Sequence, residues 1–316
     1  AKNKLSTRRA YGAALLALGH ADERIVAVDG DVSNSTFANV FAKAFPNRFF
    51  ECKIAEQNMV SVAAGLAAGG YIPFASTFAK FLARAYDQIE MAAITRANIK
   101  LVGSHSGVSL GADGPSQMSL PDMAYFRAYA QAQDGFGNSA ATVLHPADAV
   151  AAYRLTELAA NTPNICYVRT HRPDVPLIYK PDEQFELGGS KQLAEGDVLT
   201  IVSSGYMVTV ALAAVRELEK AGIKCNLFDA YCLPLNADPI FAAAKKAGGT
   251  ILTVEDNFTG GVNGALAEAA ALTGEVRVHS MLAPRVPKSG KEAEDVLAFL
   301  GLSVQDIVNK AKSLLK

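Results

Sequence analysis

Short apolar runs recur along this chain, each followed by a segment of helical length. They are RIVAVDG, YIPFAS, IKLVGS and NICYVRT in the first half, then DVLTIVSS, KCNLFDA, GTILTVED and EVRVHSM in the second. Strand and helix signals that alternate throughout are the pattern of parallel sheets with helical crossovers, so the fold class is α/β. STRRAYGAALLALG reads as a helix with Ser6 at its N-cap. RFFEC is a short strand, a helix begins near Glu56, and YIPFAS leads into a long helix from Thr77 to Ala97. IKLVGSHSG runs from a strand into a glycine-rich loop that continues through LGADGPSQ. After the helix PDMAYFRA, the polar segment AYAQAQDGFGNSA reads as an exposed loop over 129–141.

TVLHP, the helix ADAVAAYRLTELAA and the strand NICYVRT close the first unit. Pro, Asp, Glu and Lys accumulate from His171 to about Glu195, a linker composition. The expected division is one domain over 1–178, a linker over 179–195 and a second domain over 196–316. Each is expected to be a mostly parallel sheet sandwiched by helices. The second has helices near Met207–Ala221, Pro239–Lys246, Val262–Leu272, Glu292–Phe299 and Val304–Leu315.

A length of 316 residues suffices for two ordinary cores. With 50% hydrophobic residues, 19% charged and a net charge of −1, no basic excess points to nucleic acid and no Lys/Arg run to a membrane surface. No stretch approaches ~18 uninterrupted apolar residues, and AKNKLSTRR lacks the apolar core of a signal peptide. Cys52, Cys166, Cys225 and Cys232 show neither CxxC nor zinc spacing. Reduced thiols in a cytoplasmic protein, with no metal-ligand set, are the expectation.

Chemistry concentrates in KIAEQNMVSVAAGLAAGGYIPFASTFAKF, Lys53 to Phe81. Glu56 stands at the mouth of a small-residue helix, and Phe78 and Phe81 are expected one helical turn apart. A lone carboxylate facing an aromatic platform suits a planar nitrogen heterocycle. From position alone, an acid in a first turn commonly does no more than meet the helix dipole, worth ~0.3–1 kcal/mol. The Phe pair would ordinarily be core.

Ligands of parallel sheets sit beyond the carboxyl ends of the strands. Asp29, Asp31, His105, Arg169 and His171 all fall there. His105 in GSHSG has little apolar cover, while Asp113 in GADGP suits a turn as well as a site. Arg8, Arg9, Arg169 and Arg172 are phosphate-capable forks. TGGVNG, Thr259 to Gly264, lacks both GxGxxG and the Walker lysine and reads as packing glycines. Asp29 and Asp31 have no further spaced ligands for a cation.

TRRAYG, VDGDVSNSTF, CKIAEQNM, IPFASTFAKF, AYDQIEMAAI, GSHSGVSLGADGPSQM, YVRTHRP, VEDNFTGG and PRVPKSGK occur in this order. Together they resemble the C-terminal half of transketolase: its pyrimidine-binding domain followed by its C-terminal domain. The resemblance implies a thiamine diphosphate enzyme moving a two-carbon ketol unit from a ketose phosphate to an aldose phosphate. Glu56 resembles the glutamate that bonds the aminopyrimidine N1′ and serves catalysis with His105. Phe78 and Phe81 resemble the rings packed on the pyrimidine, and Asp31 an aspartate close to the cofactor. His105, Asp113 and Gln117 resemble substrate-hydroxyl contacts, with Gln117 standing where relatives carry histidine. Arg8, Ser35 and Arg169 resemble the sugar-phosphate clamp.

In this family the diphosphate and its Mg²⁺ are held by a GDG motif, which this sequence lacks. The resemblance therefore implies an N-terminal half supplied from elsewhere, as in split two-subunit transketolases, and a homodimer or α2β2 assembly. Deoxyxylulose-phosphate synthase, a pyruvate dehydrogenase β-type subunit and a non-catalytic transketolase-like subunit are the alternatives. His171 replaces the usual serine, and Ala112 a common glutamate.

Overall fold

The computed structural model describes residues 3–315. Two helix-flanked sheets organise it. The first has seven strands in the order Cys232–Leu233, Ala141–Leu144, Ile165–Arg169, Lys100–Ser104, Ile72–Phe78, Ile25–Asp29 and Phe49–Glu51. All neighbours are parallel except Cys232–Leu233, which runs antiparallel to Ala141–Leu144. The second has five strands in the order Arg277–Met281, Thr250–Val254, Leu199–Ser203, Cys225–Asp229 and Lys191–Ala194, the last antiparallel.

Central strands are buried at every position, because helices cover both faces of each sheet. Helices Thr7–Ala21 and Ala149–Ala160 pack together over one face of the first sheet. Glu56–Ala68 lies over the other face, against Ile72–Phe78. In the second sheet, Tyr206–Lys220 and Val304–Leu314 share one core.

Several expectations change. Lys191–Ala194, within the segment read as a linker, is an edge strand of the second sheet. Cys232–Leu233 crosses from the second half of the chain into the first sheet, so the halves are interleaved. The helix expected over Thr77–Ala97 begins late. Thr77 and Phe78 finish their strand, a tight 3-10 turn spans Phe81–Ala85, and the α-helix is Tyr86–Ile94. Phe78 and Phe81 therefore flank a strand-to-helix turn. Ser6 occupies the N-cap of Thr7–Ala21, but its hydroxyl makes no capping bond.

The segment 129–141 is only partly a loop. Helix Asp122–Gln131 enters it, and Gln133 pairs with Ser139 across a turn. Asp134 closes that turn by accepting from the amides of Phe136 and Asn138 at 2.8 and 3.0 Å. Two short helices, Ser33–Thr36 and Asn39–Ala44, were not anticipated in the DGDVSNSTF region. Among the described residues no helix is long and apolar enough to cross a membrane.

Candidate active site

Glu56 is the first residue of helix Glu56–Ala68, and it is 2% exposed. Its Oε1 accepts from Nη1 of Arg84 at 2.6 Å. Arg84 sits in the 3-10 turn after Phe78, and its guanidinium lies 4.4 Å from the ring centroid of Phe81. Phe81 stacks on Phe78 at 5.2 Å, and Phe78 stacks on His105 at 3.9 Å. One column of flat groups thus runs Arg84, Phe81, Phe78, His105, beginning at the buried carboxylate. Arg84 was missed in the sequence. Its signal is the spacing Phe81-x-x-Arg84, which brings a cation back over a ring within one tight turn.

His105 begins the loop after strand Lys100–Ser104 and holds the left-handed conformation at φ 58°. Such a backbone is costly for a non-glycine residue and persists where surrounding contacts enforce it. Phe78 supplies one such contact, and the Ser104 hydroxyl meets Nδ1 at 2.9 Å. Nε2 remains as the imidazole atom for a ligand. Burial, reinforced by the charges of Arg8 and Arg172, pushes the His105 pKa down to about 3, so the ring is neutral at ordinary pH.

Beside the loop that His105 begins lies a cavity of about 590 Å³, whose charged and polar lining from the first domain is Arg8, Arg9, Arg172, Asp174 and Ser109. Arg8 Nη1 donates to the backbone carbonyl of Ser35 at 2.9 Å, which places Ser35 beside the guanidinium. Arg172 Nη1 pairs with Asp113 Oδ2 at 2.9 Å. The Arg8 pKa is lowered, first by burial and then by the neighbouring charges of Arg172 and Arg9. Such a crowd of partly desolvated cations suits an anionic ligand. Gln117 lies half-buried on the same loop as Asp113, its backbone N–H donating to the Gly114 carbonyl at 3.1 Å.

Arg169 requires correction. It ends strand Ile165–Arg169 and is wholly buried. Nε donates to Asp122 Oδ2 at 2.8 Å, Nη2 to the Ser119 carbonyl at 3.1 Å, and Nη1 lies 3.1 Å from His145 Nε2 and 3.4 Å from Asp256 Oδ1. Burial alone would lower its pKa, but Asp122 and Asp256 outweigh it and hold the guanidinium charged. With its donors spent, Arg169 joins the two domains and does not line the cavity, whereas Arg172 does.

Asp31 is set apart. It projects outward at φ 65°, 3.7 Å from Lys53. Asp29 turns inward, accepting from the Val32 amide at 2.7 Å and the Thr36 hydroxyl at 3.0 Å, with burial raising its pKa to about 7. The two carboxylates thus diverge. In TGGVNG, the helix N-terminus is already occupied: Glu255 accepts from the amides of Val262 and Asn263 at 2.8 and 2.7 Å. A Cβ on Gly261 would fall 2.3 Å from Glu255 Oε2, so the glycine admits this carboxylate rather than a phosphate. Among the described residues no group of three His, Cys, Asp or Glu is assembled for a metal.

The buried acid and the column of flat groups thus stand side by side, the acid paired with Arg84 and the faces of Phe78 covered by Phe81 and His105. In TGGVNG the helix N-terminus that could meet a diphosphate is filled by Glu255.

Comparison with known proteins agrees with this division. Residues 3–177 match the transketolase pyrimidine-binding domain and 188–307 the transketolase C-terminal domain. Mouse transketolase is 46% identical over 319 residues, covering 99% of this chain and 49% of the mouse protein. Bovine transketolase-like protein 1 is 44% identical over 309 residues, covering 96% of this chain and 50% of its own length. A solved structure described as a split gene transketolase, inactive beta4 tetramer, superposes with a TM-score of 0.86 at 35% identity, covering 98% of each chain. This chain spans about half the length of the curated relatives it matches, and with both domain families matched in order it belongs to the transketolase family, as the counterpart of that enzyme's C-terminal half.

Proposed function

We propose that this chain contributes the pyrimidine-binding side of a thiamine diphosphate-dependent transketolase, active once a diphosphate-binding N-terminal half completes the site. The reaction moves a two-carbon ketol unit from a ketose phosphate to an aldose phosphate. The observation that carries this reading is the column from Glu56 through Phe81 and Phe78 to His105, which begins the loop whose Ser109 lines the Arg8–Arg172 cavity. It joins an acid suited to a ring nitrogen with cations suited to a sugar phosphate.

In this reading the Glu56 carboxyl and N1′ of the aminopyrimidine share a hydrogen bond, with the edges of Phe81 and Phe78 beside the ring, their faces being covered by Arg84, each other and His105. When bound, the cofactor supplies the carbanion chemistry, and the protein orients what reacts. His105, neutral and free at Nε2, exchanges a hydrogen bond with a substrate hydroxyl; Asp113 and Gln117 bind further hydroxyls. Arg8, Arg172 and Ser35 hold the phosphate so that the far end of the sugar is fixed. Asp31 approaches the cofactor only from the rim. Mg²⁺ belongs mainly with the complementary half.

The same reading has the chain assemble as a homodimer or as an α2β2 heterotetramer and work in the cytoplasm. The relative solved as an inactive tetramer of one kind of chain supports the need for a second half. Co-expression with candidate N-terminal halves, assayed with xylulose 5-phosphate and ribose 5-phosphate, is the test. Ketol transfer by the pair and none by the lone chain is expected. Tight binding of thiamine diphosphate and Mg²⁺ to the lone chain in calorimetry would contradict it.

A further inference from the structure

The wall of the cavity opposite Arg8 and Arg172 comes from the other domain. Lys291, Glu292 and Glu294 line it, together with Tyr206. This wall is fixed to the very loop that carries His105 and Asp113. The Gly290 amide donates to the Gly111 carbonyl at 3.3 Å. Gly111 adopts φ +50°, and a Cβ there would lie 2.7 Å from the carbonyl carbon of Glu292. A Cβ on Gly114 would lie 2.7 Å from Ser289 Oγ. Lys291 therefore stands between two residues in direct contact with the substrate loop, and its place at the cavity edge follows from close backbone packing.

The charges of this wall are unequally engaged. Glu292 caps the following helix, Ala293–Leu300, its side chain turned back to a backbone amide of the first turn. Glu294 lies 3.4 Å from the Tyr206 hydroxyl, which donates to it. Lys291 commits only its backbone amide, to Asp295 Oδ2 at 2.9 Å, and its ammonium makes no ion pair among the described residues. A strongly hydrated ammonium on a flexible stem can reach an anion that rigid guanidinium forks already orient. Across the cavity, Asp113 is already paired with Arg172.

Building on the sugar-phosphate reading above, we propose that the C-terminal domain supplies Lys291 as a further cation to the phosphate-binding cavity, making it a determinant of preference for phosphorylated over unphosphorylated sugars. The domain then closes the distal wall of the substrate site as well as packing against the first domain. A dianionic end group would be held by Arg8 and Arg172 from one side and by Lys291 from the other.

The test uses the enzyme reassembled with its diphosphate-binding half, and compares xylulose 5-phosphate with xylulose as donors. Lys291→Met is expected to raise KM for the phosphate ester about tenfold, the effect of losing one charge-assisted contact, with kcat and the KM for xylulose unchanged. Lys291→Arg should restore most of the loss. On the lone chain, ribose 5-phosphate titrated against amide resonances should shift Gly290 and Gly111, and the Met variant should weaken that binding similarly. An unchanged KM in Lys291→Met, with a raised KM in Arg172→Met, would overturn the role of Lys291 while leaving the phosphate clamp intact. If neither variant discriminates xylulose 5-phosphate from xylulose, the sugar-phosphate reading falls and this inference with it.

Discussion

Phe78 and His105 lie ring on ring, with centroids 3.9 Å apart and planes inclined by 24°. The pair joins the end of one central strand to the start of the loop after its neighbour, because Phe78 and Ser104 are registered partners. Phe78 thus both faces the proposed pyrimidine column and props an imidazole held in a left-handed backbone.

Phe78→Leu should separate these roles from bulk packing. Apolar volume is kept while the stacking, worth about 0.5–1.5 kcal/mol, is lost. Thermal unfolding should show a loss of about 1 kcal/mol. In the reassembled enzyme kcat/KM should fall by more than about tenfold, since misplacing a group near the reacting atoms costs far more than stability.

The Glu56–Arg84 pair predicts strong coupling. Glu56 is almost wholly enclosed while Arg84 is half exposed, so removing the cation strands the acid. Arg84→Met is expected to destabilise the chain by about 1–3 kcal/mol in urea titrations, the cost of an unsatisfied buried group. Once Glu56→Gln is present, Arg84→Met should cost less. Additive effects in this double-mutant cycle would contradict the pairing.

Arg169 tests the joint between domains. Its guanidinium is shared by Asp122, Asp256, His145 and the Ser119 carbonyl, all enclosed. Arg169→Met leaves two buried carboxylates facing no cation, and a loss of about 3–5 kcal/mol is expected from denaturant unfolding. Arg172→Met, made at the cavity surface, should leave stability nearly unchanged. A reversal of that order would restore Arg169 as the clamp residue.

Acid sensitivity follows from enclosed imidazoles. His105 and His171 both have pKa values pushed down to about 3, first by burial and then by nearby arginines. Each native ring refuses the proton that the unfolded chain accepts below about pH 6.5. Their contribution is therefore complete above that value and is lost as pH falls toward 3, at up to about 1.4 kcal/mol per pH unit each. Asp29 and Asp229, raised by burial to about 7 and about 8, act oppositely. Their stabilisation is present below pH ~4 and is lost as pH rises through those values. Unfolding free energy measured from pH 4 to 8 should show a shallower acid limb in His171→Ser and a shallower alkaline decline in Asp229→Asn.

The central strands were legible because full burial leaves few choices: Ile25–Asp29 and Leu199–Ser203 stand almost where their apolar runs lie. The short edge strand Cys232–Leu233 was not, since two residues make no pattern and its partner is distant in sequence. Thr77 and Phe78 were assigned to a helix because a threonine before a long helical segment resembles a start signal, yet pairing with Gly103 and Ser104 extends the strand through them. Glu56 and His105 were singled out from local context and family motifs, and the structure sets them along one column of flat groups. Arg169 and Arg172 differ by three positions, so motif matching could not separate them. Strand alternation could have: Tyr167 and Arg169 share a face, and both donate to Asp122. Lys291 drew no notice in the sequence because its place at the cavity edge arises only from packing between domains.

The pairing of Cys232–Leu233 with Ala141–Leu144 bears on how the protein can be divided. A polypeptide stopped before the second sheet would leave Val143 and Leu144 without a strand neighbour on that side, lengthening an open edge that invites pairing with other chains. Trimming to the first domain should therefore yield a sticky product rather than an autonomous module.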